Sequence, residues 1–260
     1  MKTKYRRKVA LFVTCVVDAL SPKTGVAVVR TLRRRGIQVV FPQDQGCCGQ
    51  PAWNAGFAQE AALVARPTLL ALKRALDQGA EAVVCPAGSC ATMCRVFWPE
   101  MFEVAGLHAE AALARRVGAS VLEYSELVEG LPIVPLVPDG RRVALHKSCH
   151  MLRELGLEGQ AAFLAQRAGC RLVEWPGDDR CCGFGGTFSV KLPELSVAMA
   201  DEKLRELDEN PPDLILGCDT SCLVQLSARS QARGRPLAAV HLAEVLDRAE
   251  LAAEREGRDG

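Results

Sequence analysis

Arg180-Cys181-Cys182-Gly183-Phe184-Gly185-Gly186 decides how this chain is organised, because two adjacent thiols followed by glycines recur in a second copy, Gly46-Cys47-Cys48-Gly49. A third cysteine precedes each pair at the same distance. Cys15, Cys47 and Cys48 thus recur as Cys149, Cys181 and Cys182 at a constant offset of 134 residues. Downstream the match loosens, with Cys85 and Cys90 recurring as Cys218 and Cys222 at offsets of 133 and 132. Ten of the twelve cysteines fall into two similar sets of five. Neighbouring side chains on a strand point to opposite faces, so each adjacent pair requires a turn. Gly183, Gly185 and Gly186 allow one and let backbone N–H groups approach the sulfurs.

A chain of 260 residues accommodates two domains of ordinary size, and the repeat predicts them at residues 1–135 and 136–260. The composition is 49% apolar and 24% charged, with a net charge of +1 and 5% aromatic residues. This balance points away from nucleic acid and from a charged membrane surface. Lys2, Lys4, Arg6, Arg7 and Lys8 precede the apolar run Val9 to Val13, as in a signal peptide. The repeat, however, maps that run onto internal residues 143–147, so residues 9–15 are read as a strand. No run of about eighteen uncharged apolar residues occurs, so no transmembrane helix is expected. A cytoplasmic protein follows, with reduced thiols free to bind metal.

Along the chain, apolar β-branched runs alternate with helical spacing. The first half predicts strands at 9–14, 37–41 and 82–85, with helices at 22–35, from Asn54 towards Arg66, from Pro67 towards Gly79, at 108–117 and at 125–128. Residues 130–142 read as a linker rich in proline and glycine. The second half predicts strands at 143–146, 171–175, 213–217 and 238–241, alternating with helices at 159–168, 193–207 and 221–233 and a final helix. Residues from about Trp98 to Gly118 have no counterpart and are assigned to an interface or partner. This order predicts an α/β fold of two tandem, pseudo-twofold-related domains, each a mostly parallel sheet flanked by helices. Because ligands sit outside the carboxyl ends of such strands, three distant segments of each half should converge at one rim.

Thiolates select iron–sulfur clusters, zinc or copper(I). The long spacings do not match a zinc ribbon or finger, whereas cluster ligands can lie far apart in sequence. Cys94 and Cys170 have no cysteine counterpart in the repeat and are expected to be structural, as are His108, His146 and His241. His150, next to Cys149, is either a ligand, a proton donor, an orienting group or a packing residue. The run Gly183 to Thr187 lacks the lysine of a phosphate loop and is a weak nucleotide motif.

Two copies of a cysteine, about thirty residues, CCG, about thirty-six residues and a further cysteine pair resemble the cysteine-rich CCG domain found in heterodisulfide reductase and in the iron–sulfur component of glycolate oxidase. Within that group, Gly46-Cys47-Cys48-Gly49-Gln50-Pro51-Ala52-Trp53-Asn54-Ala55-Gly56 and Ser148-Cys149-His150 are most similar to the lactate utilization protein A branch. The resemblance implies an iron–sulfur electron-transfer subunit of a complex oxidising L-lactate, or a similar 2-hydroxy acid, to pyruvate. It also implies a ferredoxin-type iron–sulfur partner. One or two [4Fe-4S] clusters, of the noncubane kind, would be held by Cys15, Cys47, Cys48, Cys85 and Cys90, and by Cys149, Cys181, Cys182, Cys218 and Cys222. The family's terminal pair is CxxC, whereas four residues separate Cys85 from Cys90 and three separate Cys218 from Cys222. Two alternatives stay open: a thiol/disulfide oxidoreductase of the heterodisulfide reductase kind, and a zinc-stabilised interaction protein.

Overall fold

The computed structural model describes residues 6–259, and Lys2 and Lys4 lie outside them. Eight strands form two four-stranded sheets. The first contains β1 (Lys8–Leu11), β2 (Gln38–Val40), β3 (Ala82–Cys85) and β4 (Val121–Glu123) in the order β2-β1-β3-β4. The second contains β5 (Arg142–His146), β6 (Arg171–Leu172), β7 (Leu214–Gly217) and β8 (Ala238–His241) in the equivalent order β6-β5-β7-β8. Every pairing is parallel. Strands covered on both faces need no polar alternation, and β3 and β7 are buried at every residue. The α/β fold in two tandem halves is therefore as the repeat predicts.

In each half the chain leaves the first strand for a neighbour on one side and then crosses to pair on the other. Val9 thus lies between Val39 and Ala82, and Val143 between Leu172 and Leu214. Such a reversal opens a crevice at the carboxyl ends of the central strands, where open α/β sheets bind ligands.

Four local readings are corrected. Asn54 ends a short helix, Gln50–Trp53, instead of starting one. Residues Ala58–Asp77 then form one continuous helix with Pro67 inside it. Proline removes the donor for the carbonyl four residues earlier, but Leu63 is exposed, so water can satisfy that group. The buried stripe Ala61, Ala65, Leu69 and Leu72 holds the helix together. Strand β4 had no prediction, since only three residues pair before the helix Tyr124–Glu129 begins. Strand β6 stops at Leu172, with one further bond from Val173 N–H to the Val143 carbonyl.

The unmatched segment packs within the first half. Its helices Trp98–Val104 and His108–Gly118 pack on the helix Ala58–Asp77, burying Trp98, Met101 and Phe102 completely. A second core is shared between the halves: Val9, Leu11, Val28 and Leu32 pack in one cluster with Val143, Leu145, Leu216, Leu242 and Leu246. The C-terminal helix Leu242–Asp259 belongs to this core and lies against the helix Pro22–Arg34 of the first half. Among the described residues no helix is long and apolar enough to cross a membrane.

Candidate functional site

The cysteines converge as the strand order requires. Cys15 opens a short helix just beyond β1, Cys47 and Cys48 follow β2 on a loop, and Cys90 lies on the helix Gly88–Thr92 beyond β3. The second half places Cys149 at the start of a short helix after β5, Cys181 and Cys182 after β6, and Cys222 in the first turn of the helix Thr220–Ala232. All eight line one cavity at the junction of the halves, with about 810 Å³ of empty space including its open mouth. That volume is in the range of sites for small ligands and cofactors.

Glycine builds the turns. Gly49 and Gly183 have φ of 85° and 83°, and a Cβ would lie 2.6 Å from the Ala61 carbonyl oxygen and 2.5 Å from that of Ser196. The resulting loops aim the N–H of Gly49 at Cys47 Sγ and that of Gly183 at Cys181 Sγ, each at 3.4 Å. Trp98 Nε1 donates to the Cys48 carbonyl at 2.8 Å and fixes the first loop from beneath. The sulfurs lie close together, with Cys15 and Cys47 at 3.6 Å and Cys48 and Cys90 at 3.4 Å.

This hydrogen bonding singles out one thiol per half. The Cys15 and Cys48 thiols and the Gly49 N–H donate to Cys47, which holds it at about 3 despite burial. Cys149, Cys182 and Gly183 do the same for Cys181, held at about 2. Their donors Cys15 and Cys149 are pushed far up, first by that bond and then by burial. In each half the hydrogen bonds thus converge on one sulfur and favour its thiolate, the form that binds metal.

Cys85 and Cys218 are buried but do not line the cavity. Cys85 Sγ donates to the Ala87 carbonyl at 3.4 Å, and Cys218 packs in the shared core. Cys94 and Cys170 are buried in the first-half and shared cores and do not line the cavity. His150 lines the cavity and meets Phe97 edge-on. Phe184, Gly185 and Gly186 form part of its wall, where Thr187 Oγ1 donates to the Pro51 carbonyl across the junction.

Two polar residues of the site, Asp219 and Thr14, were not singled out from sequence, and a third, His146, was read there as structural. Asp219 is buried and accepts from Ser221 N–H in its own half and from Ser89 N–H of the other at 2.8 Å, beside a bridge between Ala87 and Asp219. Thr14 has φ 73° and ψ 149°, strained for a β-branched residue, directly before Cys15. His146 ends β5, and its ligand atoms lie within 4.8 Å of those of Cys182 and Cys222. Burial, then the charge of Lys203, holds its imidazole at about 3; the Asp178 backbone opposes this weakly without reaching hydrogen-bond geometry. The signal for His146 was available in the repeat, where it replaces Phe12 at the offset of 134.

A doubly wound sheet repeated in tandem, with four thiols from each half facing one crevice, defines a duplicated cysteine-rich type of domain. The chain belongs to the cysteine-rich CCG domain family, whose model matches residues 9–95 and 143–227. Its relatives include lactate utilization protein A of Halalkalibacterium halodurans, 38% identical over 251 residues, covering 95% of this chain and 99% of the relative. Lactate utilization protein A of Geobacillus kaustophilus is 39% identical over 243 residues, covering 92% of this chain and 98% of the relative. Among solved structures, a hypothetical protein from Helicobacter pylori shares the fold at a TM-score of 0.59 and 11% identity, over 96% of this chain and 50% of that one.

The donor set fits an iron–sulfur group. Eight soft ligands, N–H groups aimed at sulfur and close backbone approach are what such a group requires of its protein.

Proposed function

We propose that this chain is an iron–sulfur electron-transfer subunit of a cytoplasmic complex that oxidises L-lactate or a similar 2-hydroxy acid to pyruvate. The observation that carries it is the convergence of eight cysteines, four from each half, on one cavity. Relatives of matching length named lactate utilization protein A supply the substrate class. Cys15, Cys47, Cys48 and Cys90 would hold one cluster, and Cys149, Cys181, Cys182 and Cys222 a second. The resemblance adds Cys85 and Cys218, one layer behind the wall. A bound cluster supplies one-electron redox chemistry. The chain's own residues orient the thiolates, direct the N–H groups of Gly49 and Gly183 at sulfur and, through Phe184 and the glycine run, restrict water. Oxidation of the hydroxy acid releases two electrons and two protons, so this chain would relay electrons singly between the oxidising component and a ferredoxin-type partner.

Anaerobic purification followed by iron, sulfide and zinc analysis and EPR tests this reading. Iron and sulfide in cluster proportions are expected. Cys90→Ser should lower iron per chain, whereas Cys85→Ser, whose residue does not line the cavity, should retain it. Stoichiometric zinc without iron would sink the proposal and leave an interaction protein. A second reading, thiol/disulfide exchange, is favoured by Cys47 lying 3.6 Å from Cys15 as a thiolate. It requires turnover of a disulfide by the isolated, metal-free protein with a thiol reductant.

A further inference from the structure

We propose that His146, together with Cys182 and Cys222, ligates one metal ion in the second half, giving this half a mixed nitrogen–sulfur centre where the first half has sulfur alone. The inference rests on the metal-binding reading above and adds a ligand outside the repeated cysteines.

His146 is 2% exposed, yet neither ring nitrogen has a hydrogen-bond partner. A buried polar atom left unpaired is destabilising, so packing alone does not explain an imidazole here. Its ring lies 6.4 Å from that of Trp175, a contact phenylalanine would make without that cost. The first half does use phenylalanine: Phe12 occupies the equivalent place and is fully buried.

The geometry supplies the partner the nitrogens lack. One ligand atom from each of His146, Cys182 and Cys222 lies within 4.8 Å of the others. Metal–sulfur bonds of about 2.3 Å and metal–nitrogen bonds of about 2.0–2.1 Å at tetrahedral angles set ligand atoms about 3.5–3.8 Å apart, so side-chain shifts of up to about 1 Å close the three on one ion. The residues come from the end of β5, the loop after β6 and the helix after β7, the same three segments that deliver the cysteines.

Binding would displace the thiol protons of Cys182 and Cys222 to solvent, while His146 gives a nitrogen lone pair and no redox change occurs. Lys203 is the other asymmetry. Its ammonium is buried over the Trp175 ring and donates to the carbonyls of Gly177, Asp178 and Arg180. In the first half, Thr68 holds the corresponding loop through Gly46 N–H and the Cys47 carbonyl. A buried amine thus stands beside Cys182 and Cys222 in the second half.

The test uses the full chain purified anaerobically, in a Cys47→Ser/Cys48→Ser background that leaves the second half's thiols intact. Metal analysis is paired with pulsed EPR on protein labelled with ¹⁵N-histidine, or, if the metal is zinc, with the absorption of a cobalt(II) replacement. The expected result is a histidine nitrogen signature that His146→Phe abolishes and His150→Ala preserves. His146→Phe should also weaken metal retention at least about 10-fold, while unchanged circular dichroism shows that the fold is kept. The labelled parent is informative even if the variant misfolds. Metal bound with no histidine coupling would overturn the inference and leave the metal-binding reading standing. No metal in the unmutated chain would overturn both.

Discussion

Glu123 ends β4 with its carboxyl fully buried, accepting the Ser125 N–H at 2.7 Å while Oε1 has no partner. Burial pushes it up to about 7, against the hydrogen bonds from Ser125 and the Glu126 backbone. A carboxyl raised on folding binds its proton more tightly in the native state. Its contribution is therefore complete below about pH 4.5 and is lost as pH rises through 7. Glu123→Gln, neutral at every pH, should unfold like the parent near pH 4.5 and be more stable by about 3 kcal/mol at pH 8. Denaturant unfolding at both pH values checks this, and an equal difference at both would contradict it. The roles of Glu123 and His146 were not read from the sequence, although the exchange of Phe12 for His146 in the repeat marked the second of them. Their roles depend on which strand ends meet and on what burial denies them, whereas Cys15, Cys47, Cys48 and their repeats declare themselves by spacing alone.

At the scale of the element, each cysteine loop is a short irregular segment held by regular ones. The first is fixed by Trp98 Nε1 on the Cys48 carbonyl and by Thr68 between Gly46 N–H and the Cys47 carbonyl. Trp98 stands on the segment that the repeat lacks, so the insertion supports the first site. Trp98→Phe fills most of the same space but leaves that carbonyl without its donor, so a loss of about 1–3 kcal/mol is expected. The loss should be accompanied by weaker metal retention in the first half while the second half's metal is unaffected. Equal loss from both halves would show that Trp98 serves general packing only. Strands and most helices were legible because their apolar periods are strong. Pro67 misled because a local rule met a buried stripe, Ala61 to Leu72, that outweighs one missing hydrogen bond. The fourth strand escaped because three residues carry too little pattern to register.

For the whole molecule, the boundary we propose between the halves, at residues 135 and 136, falls inside a stretch, 131–141, that forms no helix or strand. The division of sequence is not a division of the core. Arg35 donates to Glu250 at 2.6 Å with both groups buried, and Arg34 reaches Asp247, Glu250 and Glu254. These bonds tie the C-terminal helix to the first half through the apolar seam of Val28, Leu32, Leu242 and Leu246. Removing one member of a buried ion pair costs about 3–5 kcal/mol, because the other charge stays buried. Glu250→Gln should therefore lower Tm by roughly 6–20 °C at about 2–4 °C per kcal/mol. Because the seam joins the halves, a single transition is expected, with hydrogen-exchange protection falling in both sheets together. Separate melting of the two sheets would show that the halves fold independently. The cavity makes this coupling functional, since its walls come equally from both halves and meet through Ser89 N–H on Asp219 and Gly88 N–H on the Cys218 carbonyl. Glu250→Gln should accordingly release metal from both cysteine sets at one temperature, although it touches neither.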